Sequence, residues 1–220
     1  MPNIPRDVYS LSEHLDLPQL PELLSRFLYR QTHPDINIAH EDVPLAQCPP
    51  ISGRVRVFPS AVATFFAPSD KSGIGGMYRE RIRAVRSWRK GPARYDCAFV
   101  EPGTDLPGFR GLQVARVLLF FSVDHERIKY PCALVTWFSP VSDEPCPDTG
   151  MWIVEPDVNR AGTRLMEVIH LDTLLRSAHL IGVSGEDQLP RRFRHYDTLD
   201  SFKQFYVNKY ADHQAHEIAF

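Results

Sequence analysis

From Tyr95 onward the chain is built of five apolar runs of strand length, YDCAFVE, LQVARVLLFFSV, YPCALVTWFSP, GMWIVEP and LMEVIHLD. Between them lie clusters such as PGTDLPGFRG, DHER and SDEPCPDTG. Proline fixes φ, glycine accepts left-handed backbone and aspartate bonds its own main chain, so these clusters read as turns. Strands this closely spaced pair through hairpins, whereas a parallel sheet needs a crossover between each pair. The expected fold is therefore mainly β (α+β): a small twisted antiparallel β-barrel or sandwich with a few short helices. In YPCALVTWFSP (residues 130–140), alternation sends Ala133, Val135 and Trp137 to one face and Cys132, Leu134, Thr136 and Phe138 to the other. Both sets are largely apolar, as a strand covered on both sides requires.

With 220 residues, 43% of them hydrophobic, the chain can bury a sizeable core. Three segments are expected. Residues 1–50 hold Pro2, Pro5, Pro18, Pro21, Pro34, Pro44, Pro49 and Pro50, and read as a proline-rich N-terminal arm that packs on the main domain or on a partner. Its one short helix is PELLSRFLYRQ (21–31), with proline in the first turn and Leu23, Leu24, Phe27 and Leu28 on one face. Residues 51–94 hold a strand, RVRVFPS, a glycine loop, SGIGG, and a basic segment. Residues 95–220 form the β domain. Within it LDTLLRSAH reads as a helical turn or as a strand continuation, and LDSFKQFYVNKY as a closing helix or strand.

Charge is unevenly placed. Residues 1–50 carry 3 Lys/Arg against 7 Asp/Glu, residues 51–94 carry 10 against 2, and residues 95–220 carry 12 against 18. The positive excess falls on Arg79, Arg81, Arg83, Arg86, Arg89, Lys90 and Arg94, with Tyr78 and Trp88 among them. Arginine grips phosphate with two parallel hydrogen bonds and an interleaved aromatic can stack on a base, so this cluster is a candidate nucleic-acid contact. The competing reading is a solvated face, or arginines paired with the acidic segments on either side. SGIGG could offer backbone N–H groups to an anion, but it is neither a Walker loop nor a dinucleotide fingerprint.

A second candidate is a cationic-peptide site. Trp137 ends its strand near Asp143 and Glu144, and Trp152 opens the next one. Two aromatics beside a carboxylate suit a methylated ammonium group; packing in the core is the plainer role for both tryptophans. Histidine and carboxylate fall in pairs only: His170 with Asp172 and, further on, His179; His195 with Asp197; Asp212 with His213 and His216. A zinc or iron site needs three or four convergent ligands. No hydrolase, zincin or deaminase motif is present, Cys132 sits in an apolar run, and no cofactor is expected. The four cysteines lack C-x-x-C spacing, and no apolar run approaches membrane-spanning length. A soluble intracellular protein without a membrane partner is expected.

Two resemblances add to this. VARV (114–117), VTWF (135–138), residues 168–183 and the aromatic element at 205–212 resemble the degenerate motifs of a bromo-adjacent homology (BAH) domain over residues 93–213. That likeness implies a BAH-like twisted antiparallel β-barrel and a role on chromatin, with DNA, a nucleosome or a histone tail as partner. The wording FFAPSDKSGIGGMYRERIR, SWRKGPARYDC, GLQVARVLLFFS, YPCALVTWFS, DTGMWIVEP and FYVNKYADHQAHEIA is similar to an accessory C-terminal module of Plavaka-type (CACTA-like) transposon proteins of basidiomycete fungi. It implies a nuclear setting and a transposase subunit as a further partner. The RNase-H-like core that carries that group's acidic triad has no counterpart here, so no catalytic residue is carried over. The expectation is a non-catalytic, transposon-derived DNA- or chromatin-binding module. A protein–protein module without nucleic-acid contact, and a small metal-dependent enzyme built on His170, His179, His213 and His216, are the alternatives.

Overall fold

The computed structural model describes residues 4–35, 42–67, 74–103, 106–185 and 192–219. Among them are twelve strands and four α-helices. The centre is a hairpin of β6 (Gln113–His125) and β7 (Ile128–Pro140), paired in register from Val114↔Phe138 to His125↔Ile128. Glu126 and Arg127, at φ 49° and 68°, form its two-residue turn. β5 (Cys97–Val100) and β10 (Leu174–Ala178) extend the sheet beyond β6. β8 (Ile153–Pro156), β12 (Phe205–Val207) and β11 (Leu180–Gly182) extend it beyond β7. β1 (Val55–Phe58) pairs with the far half of β6, and β9 (Met166–His170) with the middle of β7. The nine strands are antiparallel throughout and curl into a nearly closed, barrel-like sheet. A second ribbon of β2 (Ser60–Phe66), β3 (Met77–Val85) and β4 (Arg94–Tyr95) lies against β6 and β10.

All five strand runs expected after Tyr95 are strands, and β6 shows why its run is so continuously apolar. Its register shifts between Val117 and Leu119. Ala115 and Val117 enter one core cluster before that bulge, and Phe120 enters the same cluster after it. One extra residue has exchanged odd for even positions. Leu119, Phe121 and Val123 are thereby turned toward the N-terminal helices.

Those helices correct the helix count expected for residues 1–50. The structure has two, α1 (Val8–Leu15) and α2 (Leu20–Thr32), where one was expected. Asp7 caps α1 by accepting from the Ser10 N–H at 2.8 Å, a start signal that the prolines obscured. Val8, Leu11, Leu20, Leu24, Phe27 and Leu28 are buried with Leu119, Phe121, Val123, Cys132, Leu134 and Val168 in one cluster. Each such burial is worth roughly 1.5–3 kcal/mol, so these helices are part of the core. LDTLLRSAH contains both alternatives, a 3₁₀ turn (Leu171–Thr173) and then β10; LDSFKQFYVNKY contains α3 (Thr198–Ser201) and then β12. The last helix, α4 (His213–Ala219), follows. No helix among the described residues is long and apolar enough to cross a membrane.

Candidate nucleic-acid interface

The basic segment is the strand β3 and the turn that follows it. Alternation puts Tyr78, Glu80, Ile82 and Ala84 on the inner face of β3, and Arg79, Arg81 and Arg83 on the outer face. Successive arginines along such a face lie roughly 6.5–7 Å apart. Across the ribbon they pair with Thr64, Val62 and Ser60 of β2. Arg81 donates to the Ser60 hydroxyl (2.9 Å), and Arg83 to the Arg81 carbonyl (3.2 Å). Among the described residues no carboxylate pairs with Arg79, Arg81, Arg83, Arg89 or Lys90.

Beyond β3 the chain reverses at Arg89 and Lys90, which hold left-handed backbone at φ 50° and 64°. The Gly91 N–H donates to the Trp88 carbonyl (2.8 Å) and the Trp88 N–H to the Pro92 carbonyl (2.9 Å). Side chains other than glycine are strained here by roughly 1–2 kcal/mol each. The turn holds the Trp88 ring with three guanidiniums over it: Arg83 at 4.6 Å, Arg89 at 5.4 Å and Arg94 at 5.5 Å. Cation–π attraction thus gathers residues from β3, the turn and β4 about one aromatic.

Two residues of the cluster are used otherwise. Arg94 pairs with Asp96 at 2.7 Å. Arg86 reaches the C-terminus of α1, donating to the carbonyls of His14 (3.1 Å) and Leu15. Those carbonyls end the helix without partners of their own, and a cation there also meets the negative end of the helix dipole. Of the glycine loop, Ser72 and Gly73 lie outside the described residues. Gly75 and Gly76 lead into β3 at φ 63° and 76°, so this part of the loop opens a strand and not a helix.

The expected peptide site does not come together. Trp152 is 7% exposed, stacked on Phe109 at 5.1 Å between ring centres within the second core cluster. Trp137 packs against a different cluster, and its indole N–H donates to Glu167 at 3.0 Å. The other Glu167 oxygen accepts from Arg30 of α2 at 2.9 Å, so a cation already stands beside that carboxylate. Asp143 and Glu144 are exposed in the loop after β7; the Asp143 carbonyl accepts from Arg110, and the Glu144 carbonyl from the Ser142 hydroxyl.

The histidines go separate ways: His170 to Asp172, His179 to Asn208, His213 to Glu217. No group of three metal-ligating side chains exists among the described residues. Asp212 is consumed by Arg176, a β10 residue only 3% exposed. That guanidinium's hydrogen bond holds the Asp212 carboxyl below its usual range. Cys132 is buried, and burial pushes its thiol up; burial likewise pushes Cys97 up to about 12. Neither is a ready nucleophile.

The feature that sequence reasoning missed is a cavity of about 450 Å³ beside Trp88, lined also by Arg94, Tyr95, Arg116, His195, Tyr196 and Thr198. Its residues come from four separate stretches of chain, and no local pattern joins them. No family model, curated protein or solved structure matches the chain.

Proposed function

We propose that the chain is a non-catalytic DNA-binding module that holds the phosphate backbone on the outer face of β3. The observation that carries this is the row Arg79, Arg81, Arg83, exposed or half-exposed on one face with no carboxylate partner among the described residues. Arginines at a regular repeat, without a carboxylate partner among the described residues, favour a repeating polyanion over a single ion. Arg89 and Lys90 extend the row around the turn, and Glu80, the acidic residue within β3, is turned to the inner face. The two resemblances give the module a setting: chromatin, in the nucleus, as a transposon-derived protein whose partner includes a transposase subunit.

The test is a salt titration of duplex-DNA binding. Log affinity should fall linearly with log salt, and Arg79→Ala with Arg81→Ala should lower the slope by about 1.8 units and the affinity about tenfold or more. Thermal stability should not change, because both side chains lie at the surface. Absence of salt-dependent binding by the wild type overturns the proposal. A second reading has its own observation: Phe66, Met77 and Ile74 (92% exposed) form an apolar end to the same ribbon. Such a face suits a protein partner, one with acidic groups where it meets the adjoining arginines. Retention of proteins, but not DNA, from nuclease-treated extract would favour it.

A further inference from the structure

The arginine row ends at a cavity, and the cavity's walls differ from those of two other hollows among the described residues. The groove beneath Arg86 is lined mainly by apolar side chains such as Leu15, Leu17, Val57, Phe58 and Leu119, and its one guanidinium, Arg86, is already bonded to the end of α1. The hollow at Trp137, about 370 Å³, is lined by Glu101, by Glu167 and by Arg30, which is bonded to Glu167. The cavity at Trp88 is walled by four flat π systems, Trp88, Tyr95, His195 and Tyr196, and by two guanidiniums, Arg94 and Arg116. No carboxylate lines it. The acids nearby, Asp96 and Asp200, hold those arginines from behind at 2.7 and 2.6 Å. Arg116 is further set by Tyr95, 5.6 Å from its ring centre, and its Nε is buried without a hydrogen-bond partner.

The combination is chemically selective. Flat π walls accept a planar ring, fixed guanidiniums accept a phosphate or a ring acceptor, and about 450 Å³ lies within the range of small-molecule sites. A nucleotide has both parts. The cavity is also continuous with the arginine row, since Arg83 of β3 and Arg94 of the cavity share the Trp88 ring. We infer that this cavity takes one unpaired nucleotide of a DNA strand whose backbone lies along the outer face of β3, so that the module prefers single-stranded or locally opened DNA to intact duplex. The inference rests on the phosphate-binding reading of that face and adds the ligand class at its end. A base paired within a duplex is stacked away from any such wall; an unpaired base enters without that cost.

Tyr196 is the residue to change, because it is 45% exposed and belongs to no core cluster. Binding of the full chain to a thymidine oligonucleotide and to a duplex of equal length is measured by anisotropy, with thermal unfolding as the folding check. Tyr196→Ala should weaken oligonucleotide binding about tenfold, the scale of one stacked base, and leave duplex binding and both salt slopes unchanged. Tyr196→Phe should restore it. Equal losses on both probes, or no loss on either, overturn the cavity's role while leaving the phosphate reading intact. Should the wild type bind neither probe in a salt-dependent way, the phosphate reading has failed, and thymidine monophosphate judges the cavity alone. Binding that Tyr196→Ala abolishes supports a free-nucleotide site, and no binding overturns the inference.

Discussion

On the outward face of β3, Arg79 and Arg81 meet water, and no carboxylate among the described residues neutralises them. On the inward face Glu80, between them in sequence, accepts from the Ser177 N–H (3.1 Å) and the Ser177 hydroxyl, and lies 3.7 Å from Arg176. Both terminal nitrogens of Arg176 are engaged in their turn, while its Nε is buried without a hydrogen-bond partner among the described residues. Arg176 donates to both Asp212 oxygens and to Gln214, and its guanidinium lies 4.8 Å from the Phe65 ring centre. Gln214 donates to the Phe66 carbonyl, so the C-terminal segment, β10 and the ribbon are tied at one point. The inner arginine, Arg176, and the outer row of β3 therefore have different work. The inner one is desolvated and compensated, and it sets the position of the ribbon. The outer one is solvated and uncompensated among the described residues, which leaves its charge for a partner.

That contrast should show first in stability. Arg176→Met removes the cation from Glu80 and Asp212 and leaves the remaining groups facing each other. Breaking such a pair from one side should cost about 3 kcal/mol, read from chemical denaturation. Arg79→Ala should stay within about 0.5 kcal/mol of the wild type in the same assay. A loss of equal size at both positions would erase the distinction between the faces. Arg86 sharpens it from within the basic segment. Its bonds to the C-terminus of α1 are charge-assisted but exposed, so Arg86→Ala should cost about 1 kcal/mol while duplex affinity and salt slope hold.

The same physics explains which parts could be read in advance. The five strands after Tyr95 were legible because local apolar runs and turn residues decide them. So was the sorting of Ala133, Val135 and Trp137 from Cys132 and Leu134, which period two imposes on any strand. What depends on register was not legible. Trp137 stands opposite Ala115 on β7, whereas Trp152 precedes β8 and falls into another cluster, although a short loop separates them in sequence. Arg86 and Arg79 look alike in a charge run; only a helix end that arrives 71 residues away in the chain assigns one to structure. The Trp88 cavity likewise needs Arg116 and Tyr196 to be brought to β4 by the fold.

The turn at Arg89 and Lys90 offers a change in which stability and binding should move in opposite directions. A two-residue turn with positive φ at both positions favours Asn-Gly, yet here it holds two long cations. Replacing Arg89 with Asn and Lys90 with Gly should relieve backbone strain and raise stability by about 1 kcal/mol. It should also lower the salt slope of DNA binding, by up to about 1.8 units if both cations meet phosphate. Stability and affinity rising together would mean that the cations contribute nothing to binding.

The smallest expected effect lies in acid, and it belongs to the inner face. Asp212 is held below its usual carboxylate range, first by its hydrogen bond from Arg176 and then by the N–H of Ala215. Between the unfolded and folded pKa values the unfolded chain therefore binds more protons, so stability rises with pH there. This contribution is complete above the ordinary aspartate range and is lost as pH falls through the lower folded value. Because Asp212 is partly exposed, solvent screening keeps it smaller than the effects above. Asp212→Asn should lower stability at neutral pH and flatten the acid limb of a plot of stability against pH. Arg79→Ala should leave that limb as it is, since no carboxylate among the described residues pairs with Arg79. An acid limb unchanged by Asp212→Asn would place the acid sensitivity elsewhere and detach Asp212 from the inner network.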